Sequence, residues 1–187
     1  MPLLALGGSD CEALHDGWLG QPVNALSSLA YVAAGVYVLH RSRPPALGLA
    51  VALSAVGIGS FLYHGPMPRG AELVHDGSIV ALACAAALAW RRDHFRRPPT
   101  SALVVGAAAI AANLLTRTGA PLCRPASLLQ GHAAWHVLTA AAIALWFTAR
   151  PDPDPEPGAP GAPDAGGHRP RGGGRRRDEH QGWRGRS

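Results

Sequence analysis

Long apolar stretches, separated by short segments rich in Pro and Arg, constrain this chain more than any other feature of its sequence. The hydrocarbon core of a bilayer is about 30 Å thick and needs about 20 mostly apolar residues for each crossing helix. Such stretches must be helical, because unsatisfied backbone polar groups are very costly in lipid. The sequence therefore predicts an all-α, polytopic transmembrane helical bundle of about five spans, at residues 22–40, 46–64, 73–90, 101–116 and 127–149.

The C-terminal region has a different composition from the apolar part. The sequence of 187 residues is 48% hydrophobic, yet its mean hydropathy is only +0.07, because polar and apolar regions offset each other. Residues 150–187 are mostly Pro, Gly, Arg and acidic residues and cannot bury enough apolar surface to offset the entropy of ordering. We therefore expect an extracytoplasmic segment at 1–21, a transmembrane domain at 22–149 and a disordered basic tail at 150–187.

Positive charge lies mainly between the apolar stretches and in the tail. The net charge is +5, and all 17 basic residues are Arg. The loops after the first and third spans are the Arg-rich loops, and they contain Arg41, Arg43, Arg91, Arg92, Arg96 and Arg97. In membrane proteins this bias marks the cytoplasmic side. It predicts an N-terminus outside and a C-terminus inside a bacterial plasma membrane, and it argues against a nucleic-acid partner because the charge follows the loops.

Polar side chains inside the apolar stretches fall at the ends that this orientation places outside. Ionisable groups are expensive within a membrane, so each is a functional candidate. Ser60 and His64 are one turn apart at the end of the second span, and His132 and His136 are one turn apart at the start of the fifth. Asp76 is near the start of the third. We expect these five side chains at a similar depth near the outer face.

These residue types match a hydrolytic metal site. Three histidines with an open position are the ligand set of a catalytic zinc, and water on such a zinc ionises near neutral pH. We expect His64, His132 and His136 to be the zinc ligands. Asp76 is expected to act as general base and then as acid. Ser60 is expected to orient a ligand or to donate to a developing oxyanion.

Two other interpretations of the same residues remain open. One is a non-enzymatic haem protein with His64 and either His132 or His136 as axial ligands, in which Asp76 and Ser60 have no role. The other is a structural or receptor-like bundle whose polar side chains only hold the helices together.

The third span holds two further side chains of interest. His75 is next to Asp76, so it should point about 100° away on a helix and lie at the membrane interface. Cys84 falls in the middle of the span and is expected to be a small core residue.

In its order and spacing, this set of residues resembles the alkaline ceramidase family, within the membrane hydrolase superfamily that includes the progestin and adipoQ receptors. The superfamily pattern is a Ser and a His one turn apart in an early span, an Asp in the next, and His-x-x-x-His in the last. Those positions are here Ser60, His64, Asp76, His132 and His136. The ceramidase branch also has Cys-Glu before the first span and Asn-x-x-Ser at its start, which resemble Cys11-Glu12 and the segment from Asn24 to Ser27. The resemblance covers about residues 9–149.

The resemblance implies a zinc-dependent hydrolase of sphingolipid metabolism, which cleaves the amide of ceramide into a fatty acid and a sphingoid base. The expected partner is thus a membrane lipid substrate, and another N-acyl lipid remains an alternative. The family has seven spans. Five spans imply a smaller substrate cavity or one that another chain completes, which leaves a homo-oligomer open.

The N-terminal segment departs from the family in its calcium ligands. Animal members of the family bind calcium through an acidic segment before the first span. Glu12 matches that pattern, but Ser9, Leu14 and Gln21 stand where carboxylate or amide ligands are expected. Zinc is therefore the expected cofactor, and the departure puts calcium binding in doubt.

Two of the three cysteines, Cys11 and Cys123, fall on the predicted outer side, where a disulfide is permitted. The resemblance supports a bridge between them, which would tie the N-terminal segment over the site. Two free thiols are the alternative.

Overall fold

The computed structural model describes residues 10–41, 46–92 and 96–149. Within these ranges the chain forms five α-helices and no strand, which confirms the all-α class for this part of the protein. The helices are α1 (Pro22–Arg41), α2 (Leu47–His64), α3 (Ala71–Arg92), α4 (Thr100–Thr116) and α5 (Gly131–Thr148). The predicted disordered tail at 150–187, residues 1–9 and the loop residues 42–45 and 93–95 lie outside the described residues.

The fifth helix begins later than the sequence predicts, at Gly131 and not at Ser127. The Ser127 hydroxyl accepts a hydrogen bond from the Leu129 N–H at 3.0 Å, and Gln130 Nε2 donates to the Ser127 carbonyl at 2.6 Å. Side chains that bond to nearby backbone groups compete with helix formation. This turn delays the helix and places His132 in its first turn.

Three of the helices are long and apolar enough to cross a membrane, namely α1, α2 and α3. The next helix, α4, is apolar but shorter. Three such helices are consistent with an integral membrane protein.

The main helix contacts run in the order α3, α2, α1, α5, α4. Small residues allow α1 and α2 to approach closely, as is common between helices in membranes. A Cβ atom at Gly57 would lie 2.6 Å from Val32 Cγ2, and one at Gly35 would lie 2.7 Å from the Ala50 carbonyl oxygen. The apolar core lies mainly on these two helices and α5, and its larger buried members are Tyr31, Val38, Leu49, Leu53, Val56 and Leu82, the last from α3.

α3 lies at the edge of the bundle. This helix packs on α2, and its buried residues are Ala71, Ser78 and Leu82. Most of its other side chains are exposed, among them Leu73 and Val80. A lipid-facing surface of this kind is expected for a helix that crosses a membrane at the edge of a bundle.

Residues 10–21, here called the N-terminal strap, lie against the end of α2 and the α4–α5 loop. The Gly20 and Gln21 N–H groups donate to the carbonyls of Gly65 and His64, at 2.9 and 2.7 Å. A disulfide joins Cys11 to Cys123, with their Cα atoms 5.6 Å apart. The strap is thus held by both covalent and backbone bonds over the end of the bundle where α5 begins.

Candidate metal centre

Three histidines meet beneath the N-terminal strap. His64 ends α2, and His132 and His136 occupy the first two turns of α5. One ring nitrogen from each residue lies within 4.8 Å of the others. The ring of His64 is centred 5.0 Å from that of His132 and 5.3 Å from that of His136. The i, i+4 spacing puts the α5 pair on one face, and the packing of α1 between α2 and α5 brings that face to His64.

Two of the three rings have a hydrogen bond at Nδ1 that defines the tautomer. His64 Nδ1–H donates to Gln21 Oε1 at 2.7 Å, since an amide oxygen can only accept. Ser27 Oγ donates its hydrogen to the Asn24 carbonyl at 2.9 Å. Ser27 Oγ therefore accepts from His136 Nδ1–H, also at 2.9 Å. Both rings consequently carry their lone pair on Nε2.

The third ring has a carboxylate beside it. Asp10 Oδ1 lies 3.4 Å from His132 Nδ1, and Asp10 Oδ2 lies 3.9 Å from His64 Nδ1. All three Nδ1 atoms therefore face an oxygen, from Asp10, Gln21 or Ser27. Oxygen partners at the second ring nitrogen are the usual surroundings of metal-ligating histidines, because they fix the tautomer and the ring orientation.

Buried polar atoms without partners are concentrated at this cluster. His64 Nε2 and both ring nitrogens of His132 are buried and have no hydrogen-bond partner in the described part of the chain. The same is true of both side-chain amide atoms of Asn24. The backbone carbonyl of this residue accepts the hydrogen bond from Ser27 Oγ. A buried polar atom without a partner is costly and calls for an unseen water or ion. Converging imidazole nitrogens are suitable ligands for zinc, so these residues fit the ion that the sequence predicts.

The structure also brings Ser60 to the cluster. Its side chain is buried, and its Oγ lies 3.3 Å from Nε2 of His136. It is one turn below His64 on the same face of α2. The hydroxyl therefore lies beside the nitrogen to which a metal ion would bind.

Asp76 is not brought into the cluster. Its side chain is 66% exposed, and its carboxylate accepts from His75 Nδ1–H at 2.9 Å. The His75 ring, expected to point away from the site, instead stacks on Tyr63 and is centred 6.1 Å from the ring of His64. The reason is the rotation of α3: its inner face carries His75 together with Ala71, Ser78 and Leu82, and Asp76 lies one position outside that face.

The neighbours of the histidines that the sequence did not reveal come mainly from the strap. Asp10 is buried, and Gln21 is fully buried. Asp10 belongs to no recognisable motif, Gln21 stood only at a position of the calcium pattern, and the approach of both to the histidines depends on contacts far apart in the chain. Two cysteine expectations have different outcomes: the structure joins Cys11 to Cys123, whereas Cys84 is exposed on α3 and the expectation of a core residue is wrong.

The residue that matched a calcium pattern has another role in the structure. The two carboxylate oxygens of Glu12 accept the backbone N–H groups of Val23 and Asn24, both at 2.8 Å. A carboxylate at a helix N-terminus satisfies free N–H groups and complements the helix dipole. Glu12 therefore caps α1, and Gln21 is bonded to His64.

No family model, curated protein or solved structure matches this chain.

Proposed function

We propose that this protein is a zinc-dependent membrane amidase that hydrolyses an N-acyl lipid, in the manner of an alkaline ceramidase. The observation that carries the proposal is the convergence of His64, His132 and His136, with an oxygen beside each Nδ1. A structural role for the histidines explains this arrangement less well, because it leaves three buried ring nitrogens without a hydrogen bond among the described residues.

A single ion fits the cluster better than a haem. The imidazole rings of His132 and His136 are centred 4.5 Å apart, and both rings pack against that of His64. Two axial ligands of a haem must leave a broad slot for the macrocycle between them, and rings in mutual contact leave no such slot. Zinc, once bound, would supply an activated water molecule and polarise a carbonyl group.

The residues around the histidines would handle the substrate and the protons. The Ser60 hydroxyl, beside Nε2 of His136, is placed to donate a hydrogen bond to the oxygen of a bound amide as negative charge develops there. Asp76 lies outside the histidine cluster and bonds to His75; it is proposed to take the proton from water and return it to the leaving amine.

The site position suits a lipid substrate. We infer five spans with the N-terminus outside and the C-terminus cytoplasmic, because the loops after the first and third spans together contain six Arg, and those after the second and fourth contain three. In that orientation the histidines lie near the outer face. An open cavity of about 540 Å³ lies at the start of α3 and is lined by Arg69, Gly70, Glu72, Leu73 and Asp76. A polar headgroup could occupy this cavity while acyl chains remain in the bilayer along the exposed side of α3. Ceramide is proposed as the substrate from the sequence resemblance.

The test is zinc content and hydrolysis by the full-length protein in detergent. We expect about one zinc per chain and release of fatty acid from a fluorescent ceramide or a related N-acyl lipid. His132→Ala should lose both, and His40→Ala should lose neither, because His40 is exposed at the far end of α1. A folded wild-type protein that takes up no zinc would refute the proposal. Zinc binding without hydrolysis of any N-acyl lipid would refute the reaction and retain the metal site.

A further inference from the structure

The strap places the carboxylate of Asp10 next to the candidate metal centre, and no sequence motif assigns this residue to the site. Asp10 is only 7% exposed. Its two oxygens face Nδ1 of His132 and Nδ1 of His64, at 3.4 and 3.9 Å. The next residue, Cys11, is joined to Cys123, and its N–H donates to Thr118 Oγ1 at 3.1 Å. The backbone next to Asp10 is thus held in place by the disulfide of Cys11 and by the hydrogen bond of its N–H.

His132 is the ligand that most needs such a partner. His64 and His136 each donate Nδ1–H to a neutral oxygen, from Gln21 and Ser27. His132 has no hydrogen bond at either nitrogen in the described part of the chain, and it lies in the first turn of α5, which has no side-chain cap. His132 Nδ1 and Asp10 Oδ1 are 3.4 Å apart, and a hydrogen bond from Nδ1–H to that oxygen would leave the lone pair on Nε2 to bind a metal.

We propose that Asp10 is a positioning residue for the metal centre, orienting His132 as a ligand, and that the Cys11–Cys123 disulfide holds Asp10 in place. This inference rests on the proposed metal site. Its consequence is that the affinity of the site for zinc depends on the oxidised strap. Carboxylates bonded to a ligating histidine fix its orientation and raise its basicity, and their removal typically weakens metal binding 10- to 100-fold.

The experiment measures the zinc Kd by competition with a chelator, for the full chain in detergent. Asp10→Asn is compared with Asp10→Glu and with Asp16→Asn, a matched control on the exposed part of the strap. We expect a Kd about 10- to 100-fold higher for Asp10→Asn, partial rescue by Asp10→Glu, and no change for Asp16→Asn. The visible spectrum of the cobalt-substituted protein should change in Asp10→Asn alone, because ligand orientation changes the field at the ion.

The disulfide supplies an independent arm that needs no change to Asp10. Replacing Cys11 and Cys123 together by Ala, in a Cys84→Ser background, should weaken zinc binding about tenfold. The same double replacement should have little further effect in Asp10→Asn, since both changes remove the same interaction.

The outcomes separate this inference from the proposed function. A wild-type protein that binds no zinc would refute the metal centre itself. If the wild type binds zinc and Asp10→Asn keeps the wild-type Kd and cobalt spectrum, the role of Asp10 is refuted. If Asp10→Asn fails to fold, the Cys11 and Cys123 replacement decides: an unchanged Kd in that folded variant overturns the proposal, and a weakened one supports it.

Discussion

The histidine end of the bundle and the outward side of α3 differ in which atoms they bury. Around the histidines, polar side chains such as Gln21, Asn24 and Ser60 are at most 1% exposed. On α3, apolar side chains such as Leu73, at 78%, and Val80, at 63%, are exposed. In water the second pattern would be unusual, but in a membrane exposed apolar side chains are ordinary and buried polar ones require an explanation.

This difference indicates which region of the chain contains the candidate functional site. The exposed apolar surface of α3 is consistent with a helix that crosses a membrane, and it identifies no functional site. Burying polar atoms at the histidine end of the bundle costs free energy that other interactions must offset. Most of these atoms either bond to a histidine nitrogen or lie near a histidine without a hydrogen bond. The two regions meet at His75 and Asp76, where the exposed helix reaches the site.

The largest effect is expected from a substitution at Asp76, where the exposed helix meets the histidine end. Asp76→Asn should lower kcat about 100-fold or more, because it removes the proposed general base. Zinc content should not change, since the carboxylate lies outside the histidine cluster. The control is Asp16→Asn, an exposed carboxylate on the N-terminal strap outside the proposed headgroup cavity, which should retain most of the activity. Equal kcat values in the two variants would remove Asp76 from the mechanism and confine the chemistry to the buried end.

A smaller effect is expected within α2, where two serines have different surroundings. Ser60→Ala should lower kcat about 10- to 100-fold with zinc retained, because the hydroxyl lies beside His136 Nε2. Ser54→Ala should be nearly silent, since that hydroxyl only donates to the Ala50 carbonyl one turn earlier. The measurement is steady-state hydrolysis with zinc content determined in parallel. A Ser54 variant as damaged as the Ser60 variant would indicate a general effect on α2.

Substitutions of apolar residues are expected to affect catalysis least. Their expected effect is on the stability of the fold. Leu53 is fully buried in the core, and Leu73 is 78% exposed on α3. Leu53→Ala should lower the free energy of unfolding by about 2 kcal/mol or more by leaving a cavity. Leu73→Ala should change it by less than about 0.5 kcal/mol, as for most exposed positions. Thermal unfolding in detergent compares the two, and equal losses would show that α3 is covered in the protein as purified.

Much of the fold could be predicted from local sequence. Apolar length and the Pro- and Arg-rich breaks located the helices, and the bounds of α1, α2 and α4 differ from prediction by one residue at each end at most. The start of α5 differs from the prediction, because Ser127 and Gln130 bond to nearby backbone groups that would otherwise enter the helix. The tail prediction falls outside the described residues.

The sequence by itself determined the helical periods, and with them the pairing of Ser60 with His64 and of His132 with His136, because a face of a helix follows from a spacing of four. Only the tertiary structure decided which oxygens face the histidines. A rotation of α3 by one residue, about 100°, exchanges Asp76 for His75 at the inner face. The approach of Asp10 and Gln21 depends on a strap that a disulfide joins to a residue 112 positions away. Neither the rotation of a helix nor a contact across the chain is encoded in local spacing, since both depend on packing among all the helices at once.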